Sequence, residues 1–235
     1  MAPKIPPPSL QFVPTSTEDW ARSDKYHASY LIPKDSDLQF ALENSSKNDL
    51  PEIMVSAAQG KFLNLTARSI GAKRVLEVGT LGGYSTIWLA KALPEDGKVV
   101  TCELDSKHAK VAQENFDCAG LSGKVEILKG LAIENLKTLQ PETPFDLVFI
   151  DADKPSNLAY FLEAKRLTRK GAVIIVDNVV RWGKVASDPQ DSTDGNVVGV
   201  RKLLAHLKDD KEVDATTLGI VGDKGYDGLL YAIKL

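Results

Sequence analysis

The 235-residue sequence predicts an α/β fold, a mostly parallel sheet with helices on both faces and an antiparallel pair at its end. Three observations lead there. Five short apolar segments, at 74–78, 98–104, 125–129, 145–150 and 172–176, alternate with helix-length segments. Two of them are apolar runs that end in acid: Phe145 to Ile150 followed by Asp151-Ala152-Asp153-Lys154, and Ala172 to Val176 followed by Asp177-Asn178. Such runs read as strands buried on both faces, and open α/β sheets hold ligands beyond the carboxyl ends of their strands. The third observation is Val75-Leu76-Glu77-Val78-Gly79-Thr80-Leu81-Gly82-Gly83-Tyr84-Ser85, a strand, a glycine turn and a helix start.

Taken in order, residues 1–18 carry prolines from Pro3 to Pro8 and no apolar core of a secretory signal, so an extended, poorly ordered arm is expected. Residues 19–71 are helical and polar-rich, with turn signals at Ile32-Pro33 and Leu50-Pro51. The stretch from Ala57 to Gly71 reads as one helix with a glycine C-cap. Helices at 85–93, 106–119, 133–139 and 156–168 separate the five strands. Residues 179–196 hold Gly, Pro, Ser and Asp and are too long for an ordinary connection, which marks a functional loop. A helix at 197–209 presents Val200, Leu203, Leu204 and Leu207 on one face, and strands at 215–221 and 229–233 close the chain around a hairpin turn at 222–228. With no repeat and no long linker, residues 1–235 are expected to form a single domain.

The formal charge of −3, with both signs spread along the chain, argues against nucleic acid or an anionic membrane as the main partner. No apolar stretch approaches the roughly 20 residues that span a bilayer. Cys102 and Cys118 lack metal or redox spacing and read as reduced packing thiols of a cytoplasmic protein. His27, His108 and His206 also show no metal spacing. Trp88 fits the core face of its helix, and Asp146 lies at the end of its strand away from the site.

The glycine loop admits two donors. A dinucleotide fingerprint starting at Gly79 would need glycine where Leu81 and Tyr84 stand, and Glu77 would repel a pyrophosphate. An adenosyl ligand with an amino-acid ammonium suits Glu77, and Glu103, ending the next strand, stands where ribose hydroxyls are held. S-adenosylmethionine is therefore preferred over NAD. An NAD-linked dehydrogenase and a non-catalytic S-adenosylmethionine-binding protein are the alternatives. Asp151, Asp153, Asp177 and Asn178 offer hard oxygen donors, which suit Mg2+, Mn2+ or Ca2+ rather than zinc. Asp177-Asn178 as a plain turn cap and Lys154 as a solvated loop lysine are the bland alternatives.

The motifs Leu76 to Ser85, Ile150 to Lys154 and Val176-Asp177-Asn178, in this order and spacing, resemble the cation-dependent class I O-methyltransferases of the caffeoyl-CoA and catechol type. The resemblance runs over about residues 54–235. It implies a Rossmann-like seven-stranded sheet with an antiparallel last strand, and a homodimer with the N-terminal region near the partner. It assigns the metal to Asp151, Asp177 and Asn178. It assigns S-adenosylmethionine to Glu77, Gly79, Thr80, Ser85, Glu103, Ala132 and Asp153, with Val55 on the approach helix contributing through its backbone. Lys154 matches the general base of the catechol-type members. Plant caffeoyl-CoA enzymes carry Trp-Asn where this chain has Arg181-Trp182, and threonine where it has Val55.

Asp151, Arg181 and Trp182 are the candidate substrate contacts; Trp182 could stack on a planar acceptor, with Tyr226 a second aromatic of that type. A phenol has a pKa near 10, so two adjacent hydroxyls chelated at the acid cluster would ionise more readily, with Lys154 to take the proton. The expected activity is O-methylation of a catechol, caffeoyl or flavonoid type of vicinal dihydroxy aromatic.

Overall fold

The computed structural model describes residues 13–140, 142–187 and 193–235. Three helices come first. α1 (Thr17–Leu31) begins in a capping box in which Ser16 and Asp19 satisfy each other's backbone amides. α2 (Ser36–Lys47) is capped by Asp35, whose carboxylate also takes the Lys91 ammonium at 2.6 Å. α3 (Ala57–Ser69) starts from a second capping box, Ser56 with Gln59, and stops at Ile70 before Gly71 at φ 60°. Val55 therefore precedes this helix by two residues. It lies in the loop segment leading to α3 and not on the helix, because the Ser56 hydroxyl fixes where the helix begins. The proline-rich stretch of residues 1–12 lies outside the described residues, and α1 already includes Thr17 and Glu18.

The alternating part follows: β1 (Arg74–Val78), α4 (Tyr84–Ala90), β2 (Lys98–Glu103), α5 (Ser106–Cys118), β3 (Val125–Lys129), α6 (Ala132–Thr138) and β4 (Phe145–Ile150). A 3-10 turn at Lys154–Ser156 leads into α7 (Asn157–Leu167), then β5 (Thr168–Asp177), a second 3-10 turn at Lys184–Ala186, and α8 (Gly195–Leu207). β6 (Val213–Gly222) and β7 (Gly225–Lys234) end the chain.

The seven strands are ordered β3-β2-β1-β4-β5-β7-β6. β1 to β5 pair in parallel, and β7 inserts antiparallel between β5 and β6. Strand order reverses between β1 and β4, which opens the crevice where such sheets bind ligands. Alternation divides the core in two. Val75, Leu147, Phe149, Val173 and Ile175 pack with Leu63, Ile87 and Phe116 from α3, α4 and α5. Leu76, Val148, Ile150, Ile174 and Val176 pack with Leu136, Phe161 and Leu203 from α6, α7 and α8.

Boundaries depart from expectation at the end of the chain. β5 begins at Thr168, with Phe145 paired to Thr168 across a register shift, so the strand runs through Gly171 where a loop was expected. β6 and β7 pair from Val213↔Lys234 to Gly222↔Gly225, leaving Asp223-Lys224 as a two-residue connection in place of the wider turn. Gly225 at φ 93° makes that tight reversal possible. Of the loop expected at 179–196, residues 188–192 lie outside the described residues. Among the described residues, no helix is long and apolar enough to cross a membrane.

Candidate active site

The glycine turn is seated directly on the end of β4. Gly79 adopts φ 103°, and a Cβ there would overlap the Asp151 carbonyl oxygen. Glu77, one turn below, is fully buried on β1. Its carboxylate accepts from Ser85 Oγ at 2.6 Å, from Thr101 Oγ1 at 2.7 Å and from Thr86 Oγ1. Burial pushes the Glu77 carboxyl up to about 7 against the pull of those three hydroxyls. Thr80 Oγ1 lies 2.6 Å from Thr101 Oγ1, so its side chain faces the same buried network.

Glu103 stands at the end of β2 and holds the turn from the side. Its Oε2 accepts from the amides of Thr80 at 3.2 Å and Leu81 at 2.7 Å, while Oε1 accepts from the Asp105 amide at 2.9 Å. Ala132 is the first residue of α6, beyond β3. Asp153 is exposed beyond β4 and accepts at 2.5 Å from the Tyr160 hydroxyl. Burial and the Asp153 charge hold the Tyr160 phenol above its ordinary value. Apart from Val55, the residues expected to hold a donor thus lie at or beyond the carboxyl ends of β1, β2, β3 and β4.

The acid cluster sits at β4 and β5. Asp151 Oδ1 accepts from Lys154 Nζ at 2.7 Å, and Lys154 is only 7% exposed. Asp177, 3% exposed, accepts from the Asn178 amide at 2.7 Å. Burial, reinforced by the negative charge of Asp151, holds the Asp177 carboxyl well above the usual carboxylate range, with Lys154 opposing. Asp151, Asp177 and Asn178 open into a cavity of about 560 Å³ lined also by Val55, Arg181 and Trp182, while Lys154 stands behind Asp151 and outside that lining. Met54, Phe62 and Leu218 supply apolar wall on it. Trp182 is 55% exposed and its ring covers Gly225, where a Cβ would overlap it.

The structure brings Val55, Asp151, Asp177, Asn178, Arg181 and Trp182 around one cavity, and leaves Tyr226 out of that lining. Tyr226 instead accepts the Trp182 amide through its carbonyl at 3.0 Å. Trp88 is in the core, and Asp146 binds the Lys73 and Arg74 amides and Arg169 at the far end of the sheet. Thr86 and Thr101, which satisfy Glu77, left little mark in the sequence; for Thr101 an inward position on β2 was the available signal, and Thr86 lies on α4. Asp227 left as little, because its partners are backbone amides, which leave no mark on side-chain spacing.

A doubly wound sheet with a glycine turn over β1 and acids at the ends of β2, β4 and β5 is the frame of a Rossmann-like protein that takes an adenosyl or dinucleotide ligand at the carboxyl edge of its sheet. Residues 31–234 match the family model described as O-methyltransferase, and the chain belongs to that family. It is 48% identical over 210 residues to a catechol O-methyltransferase of Mycobacterium tuberculosis, covering 89% of this chain and 94% of that one. An O-methyltransferase structure from Bacillus cereus in complex with SAH matches with a TM-score of 0.90 at 45% identity, over 94% of this chain and 100% of that one. The O-methyltransferase of tomaymycin synthesis from Streptomyces achromogenes, in complex with SAM, matches with a TM-score of 0.89 at 44% identity, over 94% and 99%. Membership decides between the two chemistries that the glycine loop admitted. The chain is a methyltransferase and not a dehydrogenase.

Proposed function

We propose that this enzyme moves the methyl group of S-adenosylmethionine onto one hydroxyl of a vicinal dihydroxy aromatic, with a divalent cation, Mg2+ ahead of Mn2+ or Ca2+, at Asp151, Asp177 and Asn178. The Asp151–Asp177 pair carries the reading. Two carboxylates repel across a buried floor, one lysine compensates them, and a cavity large enough for an aromatic acceptor opens above. In this reading Asn178, which lines the same cavity as Asp151 and Asp177, supplies its amide oxygen as the third donor. Two carboxylates and an amide oxygen are hard donors that fit such a cation. When bound, the cation supplies positive charge that favours the ionised acceptor oxygen.

The remaining steps belong to the chain. Lys154 Nζ takes the acceptor proton, and Asp151, bonded to it at 2.7 Å, orients both the lysine and the acceptor. Trp182 and Arg181 wall the acceptor ring. Glu103 retains lone pairs for ribose hydroxyls, Ala132 and Asp153 border the adenine, and Val55, Glu77, Gly79, Thr80 and Ser85 hold the methionine end. We place the chain as a single-domain cytoplasmic enzyme, in keeping with its free Cys102 and Cys118. The exposed Tyr26, Tyr30 and Leu31 of α1 are the face offered to a second copy in a homodimer.

A panel of dihydroxy aromatics with S-adenosylmethionine, run with EDTA and then with added Mg2+, tests the reading. Turnover should fall by about 100-fold or more in chelator and return with the metal. Full turnover in excess chelator removes the cation, and no product from any catechol removes the acceptor class.

A further inference from the structure

The segment after β5 is built against its own backbone preferences. Asn178 adopts φ 59°, which asparagine tolerates, but Arg181 and Trp182 at 52° and 58° occupy a left-handed region that such side chains hold only where their surroundings over-determine them. Those surroundings are two charged side chains from elements on either side. Asp227 of β7 accepts through one oxygen, Oδ1, from the amides of Val180 at 3.0 Å, Arg181 at 2.8 Å and Gly228 at 2.9 Å. Arg201 of α8 donates to the carbonyls of Val185 at 3.0 Å, Ser187 at 2.7 Å and Lys184 at 3.3 Å. Between the clamps, the Trp182 amide donates to Tyr226 O, and the indole lies on Gly225.

We infer that Asp227 is a positioning residue: it fixes the segment that carries Asn178, Arg181 and Trp182, and so decides which of two adjacent acceptor hydroxyls is presented for methylation. The two amides it holds lie between Asn178 at the acid cluster and Trp182 at the aromatic wall. One oxygen thus ties the floor of the cavity to its side. Asp227 also lines that cavity, so release of the segment changes the space in which the ring settles. The inference rests on the vicinal dihydroxy acceptor proposed above. It assigns the effect to the acceptor oxygen, on which three amide donors converge; the Asp227 charge also acts on Asp177, and Asp227→Asn removes that charge while keeping the oxygen.

The test compares Asp227→Ala with Asp227→Asn, which keeps an oxygen for the amides. With 3,4-dihydroxybenzoate as acceptor, the 3-O to 4-O product ratio should shift at least about threefold in Asp227→Ala. Its acceptor KM should rise about tenfold while the S-adenosylmethionine KM stays within about twofold. Asp227→Asn should return both to near wild type. The product ratio reports only folded molecules, so poor yield of the alanine variant does not blunt the result. Amide hydrogen exchange on the protein alone provides a second arm. Residues 178–187 should exchange about tenfold faster in Asp227→Ala, with β4 and β5 unchanged.

An unaltered product ratio in Asp227→Ala, or an asparagine variant that behaves like alanine, overturns the inference. If the wild-type enzyme methylates no catechol, the acceptor reading fails by itself, and unchanged exchange at 178–187 in Asp227→Ala then overturns the clamp independently.

Discussion

Lys154 is where the chemistry depends most on one atom. Its ammonium is withdrawn from water and given a carboxylate partner, Asp151, at 2.7 Å. Two duties fit that position, balancing the acid pair or taking the acceptor proton, and two substitutions separate them. Lys154→Ala should lower kcat by about 100- to 10,000-fold, the usual worth of a positioned acid or base, with cofactor affinity within about twofold. Lys154→Arg keeps the charge beside Asp151 but has no accessible neutral form, so it should recover stability and not turnover. Single-turnover rates and cofactor titration check both, and an undiminished rate in the alanine variant ends the role as base. The placing of Asp151, Lys154 and Asp177 beside the ends of β4 and β5 was legible because apolar runs that stop at acids mark strand ends. What Glu77 and Thr80 do with their side chains was not. Both face hydroxyls that arrive from α4 and β2, and only the pairing of β1 with β2 brings Thr101 beside them.

At the scale of elements, the site exists because β1 and β4 end against each other. Asp151 N donates to Val78 O at 2.8 Å, and Gly79 leaves no room for a side chain over the Asp151 carbonyl. Gly79→Ala therefore meets both a positive φ and a backbone clash, whereas Gly71, at φ 60° with open space around it, meets only the first. Gly71→Ala should cost about 1 kcal/mol and leave cofactor binding intact. Gly79→Ala should cost several kcal/mol, beyond the roughly 1–3 kcal/mol of strain alone, and abolish cofactor binding. Urea midpoints and cofactor titration on the pair decide it; equal penalties would mean that the β1–β4 junction is loose. The same contrast explains what was legible among the elements. β1 to β4 were readable as short, largely apolar segments bounded by turn residues and spaced by helices. The early start of β5 and the full β6–β7 ladder were not, because exposed edge residues such as Asp214, Thr216 and Thr217 carry no apolar period.

Across the whole molecule, the two ends of the sheet are electrically unlike. At the amino end, Asp146 is matched by two amides and Arg169. At the carboxyl end, Glu77, Asp151 and Asp177 crowd together with Lys154 as their close cation, and two fully packed cores hold them there. That arrangement costs stability in a way that pH should reveal. Glu77 ionises near 4.5 when exposed and near 7 when folded, because burial disfavours its charge. Between those values the folded chain keeps a proton that the unfolded chain releases. Stability is therefore greatest below about pH 4.5 as far as this group is concerned, and is lost as pH rises through about 7. The loss is on the order of 3 kcal/mol at one pKa unit per 1.4 kcal/mol. Glu77→Gln keeps an oxygen for the three hydroxyls and removes the ionisation, so its stability should change less between pH 5 and pH 8 than that of the wild type. The raised Asp177 carboxyl adds to the slope in both proteins and cancels in the comparison. Urea midpoints of the chelator-treated proteins at the two pH values make the measurement. Parallel curves would mean that Glu77 is already charged in the folded enzyme, its three hydroxyls outweighing its burial.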